Sequence, residues 1–290
     1  MVSLYLAPAD SGELAHFMPG QHLLFKLDIP GQQVPVFRYY SFSDVFNPEY
    51  YRVSVKKEPS PRDKPLAPPG LASNYLCDFA KVGDVLEAKG PSGAFCLNPM
   101  QDGTPVLIAG GIGITPLLCM AKSIAELNPA RTVYFFYGVN ERNDHAFEKE
   151  LDKISKGYPN IRISTFYNKI VPGDIKGVNY DFEGYINIDT ILGITGELHR
   201  DYYICGPAVM MNYLTGALEE LGVDKQNINI ESFNSANNEG TGDNFDNKSL
   251  GEPGELLVEF LKSGRKIKWD KRYRSILEFA EGNDVEINSG

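Results

Sequence analysis

Nowhere in the 290 residues is there an apolar run of the length a membrane-spanning helix needs, roughly 18 residues, so no span is expected. The opening Met1-Val2-Ser3-Leu4 lacks the basic stretch and apolar core of a secretory signal, and the default expectation is a cytoplasmic protein. Cysteine is scarce. Cys77, Cys96, Cys119 and Cys205 show no C-x-x-C spacing and have no histidine at ligand spacing beside them. No zinc site or cysteine-held cluster is therefore expected within this chain, and the four read as reduced thiols. Positive charge is also short: 28 Lys and Arg against 38 Asp and Glu give a formal net charge of −10. A nucleic-acid surface needs the opposite sign, so the acidity reads as a solubility device. Nor is there a triad-like cluster for nucleophilic catalysis.

What is present suits a globular chain of about two domains. The first hundred residues carry short strand-like runs at Leu23–Leu27, Val36–Ser41 and Tyr51–Val55, separated by Pro19-Gly20, Pro30-Gly31, Asn47-Pro48 and Pro68-Pro69-Gly70. Such punctuation predicts a small antiparallel β-barrel, with one helix from Leu71 to Phe79. After Asp102-Gly103 the pattern alternates. Strand-like runs at Val106–Ala109, Val133–Tyr137, Ile161–Phe166, Tyr202–Cys205 and Ile228–Ser232 are interleaved with helical stretches at Leu117–Leu127, His145–Ile154 and Val209–Leu221. The expectation is an α/β doubly wound domain with a five-stranded parallel sheet. Residues 234–254, rich in Asn, Gly, Glu, Asp and Ser, read as a flexible linker. Leu256–Leu261, Ser263-Gly264 and Arg265–Asp270 then read as a β-hairpin in which Ile267 and Trp269 alternate with charged residues, and Tyr273–Ala280 as a short helix. The boundaries are drawn at 1–101, 102–233, 234–254 and 255–290.

Five short segments carry candidate chemistry, and each has an ordinary structural alternative. Gly110-Gly111-Ile112-Gly113-Ile114-Thr115-Pro116 follows a strand and opens a helix. Glycines there admit a pyrophosphate to the backbone, with Thr115 suited to an N-cap and Pro116 to the first turn; a plain glycine-rich turn looks similar. Arg38-Tyr39-Tyr40-Ser41 offers a phosphate fork, an aromatic face for a flavin and a hydroxyl for its edge, or simply a surface Arg beside packing tyrosines. Gly70-Leu71-Ala72-Ser73-Asn74 offers a second phosphate contact or an ordinary helix start. In Cys205-Gly206-Pro207, Gly206 permits close approach of a ligand and Pro207 fixes the first helical turn, or the segment is a buried Cys at a tight turn. Glu231-Ser232-Phe233 closes the last strand and could face a flavin or simply end in the core.

Taken together and in order, these segments resemble the ferredoxin–NADP reductase superfamily. R-x-Y-S, G-L-x-S-N, G-P-x-G-x-F (Gly90-Pro91-Ser92-Gly93-Ala94-Phe95), G-G-x-G-x-T-P, C-G-P and E-x-F follow one another across residues 1–233. The nearest likeness is to the reductase halves of flavohaemoglobins and of iron–sulfur flavoprotein reductases. The resemblance implies an FAD-binding barrel, an NAD(P)-binding α/β domain, and hydride transfer from nicotinamide C4 to flavin N5 followed by release of single electrons to an iron–sulfur or haem acceptor, possibly in the same natural polypeptide. It implies that Arg38 contacts the FAD pyrophosphate, Tyr40 (next to Tyr39) stacks on the isoalloxazine, and Ser41 hydrogen-bonds near N5. Val55 and Lys56 would line the flavin, and Gly70, Leu71, Ser73 and Asn74 the FAD phosphates. Gly111, Gly113, Thr115 and Pro116 would receive the NAD(P) pyrophosphate and nicotinamide. Cys205, Gly206 and Pro207 would sit beside the nicotinamide, with Cys205 positioning rather than attacking, and Glu231 and Phe233 would flank the flavin. Ser41, Cys205 and Glu231 are the residues expected nearest the reaction. Arg142, Asn168 and Lys169 lie in segments near the ends of the second and third strands that could read a 2′-phosphate, or are solvated loop residues, and the likeness leans toward NADH over NADPH. A diaphorase-like reductase of small acceptors and a non-catalytic flavin- or nucleotide-binding module are the alternatives.

The tail resembles the opening of a plant-type [2Fe–2S] ferredoxin, a partial β-grasp segment, through Leu256–Phe260, Gly264–Trp269, Ser275–Glu278 and Val285–Ile287. In that family the cluster cysteines follow almost at once, whereas this sequence stops at Gly290 without them. Either the domain has degenerated or the chain is cut from a longer protein; the second is the expectation, with a [2Fe–2S] centre only if the natural chain is longer.

Overall fold

The computed structural model describes residues 1–10, 12–60, 66–198, 200–233, 257–260 and 265–268, together with Phe279, Asn283 and Val285. The chain divides into two compact units, Met1–Asn234 and Ser235–Gly290.

The first unit begins with β1 (Val2–Leu6), β2 (His22–Leu27), β3 (Val36–Ser41), β4 (Tyr51–Val55), α1 (Leu71–Asp78) and β5 (Glu87–Ser92). β2 runs antiparallel between β3 and β5, β1 pairs with β4, and a single bridge from Phe42 to Val53 joins the two sheets into a barrel-like wrap. Along β2, Leu23, Phe25 and Leu27 are buried while His22, Leu24 and Lys26 are half-exposed, the period of a strand with one face on a core. Phe17, Phe42, Tyr51, Val53, Ala72 and Leu76 complete that core. Sequence reasoning placed β2, β3, β4 and α1, and the N-terminus resembles a first barrel strand where β1 lies, but β5 was missed. β5 reads Glu-Ala-Lys-Gly-Pro-Ser and is nearly all exposed, so it carries no apolar pattern to detect.

The second half alternates β6 (Val106–Gly110), α2 (Ile114–Leu127), β7 (Val133–Val139), α3 (Glu148–Gly157), β8 (Ile161–Tyr167), β9 (Phe182–Glu183), α4 (Ile188–Thr195), β10 (Tyr202–Cys205), α5 (Ala208–Glu220) and β11 (Ile228–Glu231). All the strands are parallel, in the order β11-β10-β6-β7-β8-β9. The sheet therefore has six strands where five were expected. The extra one, β9, is a two-residue edge piece too short to leave a sequence signal. α2 and α3 cover one face through Leu117, Leu118, Ala121, Ile124, Leu151 and Ile154. α4 and α5 cover the other through Ile191, Met211, Leu214 and Leu218. This is the doubly wound arrangement. α2 starts at Ile114, earlier than the expected Leu117, and α3 starts at Glu148, later than His145. α4 was not anticipated.

α2 explains its own composition. Eleven of its fourteen residues are buried, because one side lies on the sheet and Cys119 on another side packs into the barrel core. A helix apolar all round is one enclosed by protein.

In the second unit, β12 (Leu257–Phe260) and β13 (Arg265–Lys268) form the expected antiparallel hairpin, with Val258 opposite Ile267. The linker 234–254, Ser263-Gly264, Trp269, the stretch Ser275–Glu278, Glu286-Ile287 and nearly all of the predicted helix 273–280 lie outside the described residues. Among the described residues no helix is long and apolar enough to cross a membrane.

Candidate functional site

The strand order reverses between β6 and β10, and α2 and α5, which follow them, lie on opposite faces of the sheet; such a reversal is where an open α/β sheet takes its ligands. The loop after β6 is Gly110 to Gly113, and the loop after β10 is Gly206-Pro207. Their glycines do two different jobs. A Cβ on Gly113 would lie 2.2 Å from the Cys205 carbonyl oxygen, and one on Gly206 would lie 2.9 Å from Gly110 Cα. These two bring the loops into backbone contact. Gly111 has φ +53 and nothing within 4 Å of where a Cβ would be, so its backbone is left open to a ligand. This combination of a closed joint and an open rim fits a pyrophosphate approaching the start of α2.

Two details depart from expectation. Gly113, not Thr115, is the N-cap of α2; Thr115 is buried inside the first turn, and its Oγ1 donates to the Ile112 carbonyl at 3.2 Å. Pro116 does lie in that first turn. Pro207 is the N-cap of α5, one residue before the first turn it was expected to occupy.

Cys205 and Glu231 are register partners at the ends of β10 and β11. Burial pushes the Cys205 thiol far above its usual range, and the neighbouring Glu231 carboxylate adds to the rise. A thiol so held stays protonated and is no nucleophile. Burial also raises Glu231 to about 7, opposed by a hydrogen bond from the Ser232 backbone N–H. Phe233, beyond it, is more than one-third exposed.

The barrel half packs against β10 and α2. Phe95 stands edge-on to Tyr203 of β10 with centroids 5.8 Å apart, and Cys119 of α2 donates to the Asp44 carbonyl at 2.9 Å. Asp44 lies three residues beyond Ser41. Ser41 is buried, and its hydroxyl has no hydrogen-bond partner among the described residues. A buried hydroxyl left unpaired costs free energy in the protein alone, so Ser41 is suited to a ligand that supplies the partner. Tyr40 lies on the Phe25 side of β3, with ring centroids 5.6 Å apart, and burial lifts its phenol to about 12 against the pull of Arg38. Tyr39 faces the other way, edge-on to His22 at 4.7 Å. The two tyrosines therefore serve opposite faces of one strand. Arg38 donates to the Phe37 carbonyl at 2.7 Å and is half-buried on the same face as Tyr40.

The Gly70 segment is more structural than its motif suggests. Gly70 caps α1. Asn74 Nδ2 donates to the carbonyls of both Glu58 and Gly70 at 2.7 Å, and Ser73 Oγ donates to the Gly70 carbonyl at 3.1 Å while accepting from the Glu58 N–H at 3.3 Å. Both side chains pin the loop, which leaves the N–H groups opening α1 as its free donors; Leu71 is exposed beside them. Val55 is buried and Lys56 reaches Asp144 at 3.7 Å. Arg142 lies 4.0 Å from Asp174, Lys169 lies 3.5 Å from Glu141, and Asn168 bonds Tyr185 at 2.9 Å. A cavity of ≈ 210 Å³ between α3 and β8 contains none of the predicted site residues.

Sequence reasoning missed four residues that the fold gathers between the halves: Asp44, Arg52, Lys122 and Glu150. Each is a single charged residue on a different element, and no local pattern marks it.

The chain matches two described families, the oxidoreductase FAD-binding domain over residues 6–96 and the oxidoreductase NAD-binding domain over residues 107–215. It is 30% identical to the FAD/NAD-binding domain of nitric oxide dioxygenase from Vibrio cholerae O1 biovar El Tor, with a TM-score of 0.68 over 80% of this chain and 91% of that one. It is 35% identical over 236 residues to a flavohemoprotein of Bacillus cereus, covering 81% of this chain and 58% of that protein. A flavohemoprotein of Rhodopirellula baltica is 38% identical, with 80% and 57% covered. The chain thus spans less than two-thirds of the length of these curated relatives. The cytochrome b5 reductase domain of Ulva prolifera nitrate reductase shares the fold, with a TM-score of 0.65 at 22% identity.

Proposed function

The chain belongs to the family of oxidoreductases that join an FAD-binding domain to an NAD-binding domain, and from that premise we propose that it passes a hydride from nicotinamide C4 to flavin N5 and delivers electrons singly to a haem or iron–sulfur redox protein. When bound, FAD supplies the two-electron acceptor able to release electrons one at a time. The protein's own part is to bind both groups, hold them in register and exclude water. Residues 1–101 form the flavin half in this reading and residues 102–233 the nucleotide half. Arg38 and the N–H groups opening α1 take the FAD phosphates. Tyr40 covers one ring face, and Ser41 donates to the ring edge. Gly111 and the start of α2 take the NAD(P) pyrophosphate. Cys205 and Gly206 flank the nicotinamide, and Glu231 and Phe233 border the flavin.

The observation that carries the reading is the strand-order reversal, with Gly111 open and Gly113 closed against Cys205, set beside a barrel whose buried Ser41 hydroxyl has no partner among the described residues. The two cations near the ends of β7 and β8, Arg142 and Lys169, each face a carboxylate, which supports NADH over NADPH because a 2′-phosphate would have to displace those pairings. The flavohemoprotein relatives support a haem acceptor within the same natural polypeptide. A cytoplasmic setting is proposed alongside it, in keeping with four unpaired cysteines.

The test is anaerobic reduction of the FAD-loaded protein, followed by flavin absorbance. NADH is expected to bleach the flavin, and to do so at lower concentration than NADPH. A bound flavin that neither reductant bleaches would remove the reductase reading.

A further inference from the structure

The four residues that tie the halves of the first unit together form a closed circuit. Asp44 and Arg52 come from the barrel half, on the loop after β3 and on β4. Lys122 and Glu150 come from α2 and α3 of the nucleotide half. Arg52 bonds Asp44 at 3.0 Å and grips both Glu150 oxygens at 3.0 and 2.9 Å. Lys122 closes the ring by pairing with Asp44 and, at 3.2 Å, with Glu150. Each cation thus meets both carboxylates, and two positive charges balance two negative ones.

The circuit is shielded and braced. The Arg52 side chain is only 4% exposed, its Nε donates to Ser43 Oγ at 3.2 Å, and its guanidinium lies over the Phe147 ring, 5.1 Å from the centroid. Phe147 holds φ 59, a left-handed conformation that a bulky side chain adopts only when its surroundings impose it. Both ends of the circuit lead toward the proposed site. Asp44 follows Ser41 by three residues, and Lys122 lies about two turns, roughly 12 Å, along the helix that opens at Gly113. A shared bidentate pair at this point sets the angle at which one half meets the other, and a planar Arg fork resists rotation as a single ammonium would not.

We propose that Arg52, through its bidentate pair with Glu150 in the Asp44–Arg52–Lys122–Glu150 ring, is a positioning residue for hydride transfer: it sets the approach of the flavin half to the nicotinamide half. This rests on the reductase reading above. The test uses the full chain loaded with FAD, with flavin bleaching followed in a stopped-flow instrument over a range of NADH concentrations. Glu150→Gln is expected to keep FAD bound and leave the half-saturating NADH concentration nearly unchanged, while the limiting rate of bleaching falls about ten-fold or more, toward the roughly hundred-fold that a displacement of about 1 Å can cost. Glu150→Asp, which keeps the charge but shortens its reach, is expected to recover part of that rate. A Glu150→Gln protein with a lowered melting temperature and an unchanged limiting rate overturns the proposal and leaves the ring a stabilising lock only. If Glu150→Gln does not accumulate folded, Arg52→Lys carries the test, since it keeps a cation in the ring but removes the bidentate fork; a fall of about three-fold or more is expected, and none overturns the proposal. Failure of the unaltered protein to bleach would count instead against the reductase reading.

Discussion

In the barrel half, most of the proposed ligand contacts are side chains on one strand, Arg38 and Tyr40 on one face of β3 and Ser41 at its end, the N–H groups opening α1 being the exception. In the nucleotide half they are mainly stretches of backbone, the Gly111–Gly113 loop, the Gly206 loop and the N-terminal turn of α2, with the Cys205, Glu231 and Phe233 side chains beside them. The difference follows from what each sheet offers. An antiparallel barrel exposes a strand face on which side chains are displayed in alternation. A parallel sheet buried on both faces has little free side-chain surface, and its ligands meet it where strands end and helices begin. The barrel half should therefore respond to loss of a side chain, and the nucleotide half to gain of one.

The largest effect is expected from Gly113→Val. Its Cβ would sit 2.2 Å from the Cys205 oxygen, against backbone that cannot swing aside, so the joint between the two loops must open. A loss of about 3 kcal/mol or more in stability is expected, with NADH binding abolished. Denaturant unfolding and NADH titration check this. Gly111→Ala sharpens the contrast, because it meets open space and carries only the strain of its positive φ, about 1 kcal/mol. Equal damage from the two substitutions would break the distinction between joint and rim.

Arg38→Ala comes next. It removes a charged donor set from the barrel half and should weaken FAD retention by about 10- to 100-fold, with little change in unfolding of the apoprotein. Fluorescence titration with FAD measures it. NADH affinity that fell while FAD affinity held would reverse the assignment of the halves.

The smallest effect concerns pH. Glu231 is raised from 4.5 to about 7 by burial, so the folded chain holds its proton more tightly than the unfolded chain does. Between those values folding takes up a proton, and stability contributed by the protonated group declines as pH rises through about 7. Glu231→Gln should flatten the pH dependence of unfolding between about pH 5 and 8 by on the order of 1–3 kcal/mol. It should also remove any inflection near neutrality in the rate of flavin bleaching. An unchanged pH profile would mean that Glu231 lies in a wetter setting than its burial indicates.

Most of the regular elements were legible because their signals are local. Val106–Gly110 is an unbroken apolar run, β2 alternates, and Gly70, Gly113 and Gly206 punctuate the starts of helices. β5 and β9 were not legible: one is exposed along nearly its whole length, the other is two residues long, and each is a strand only because a neighbour pairs with it. The role of Thr115 was misjudged for a related reason. Its position beside a proline suits a cap in isolation, but contact of Gly113 with Cys205 sets the helix start two residues earlier.

The sequence alone determined the pair of ligand-binding halves and the order of their motifs, since glycine turns, strand runs and R-Y-Y-S are encoded within a few residues of one another. Only the tertiary structure decided what those motifs do for one another. It separated the glycine that closes a joint from the one left open, turned Tyr39 and Tyr40 to opposite faces, and left the Ser41 hydroxyl without a partner among the described residues. It also drew Asp44, Arg52, Lys122 and Glu150 into one ring. Those outcomes depend on distances between residues up to 106 positions apart, such as Asp44 and Glu150. Chain folding sets such distances, and no local window of sequence contains them.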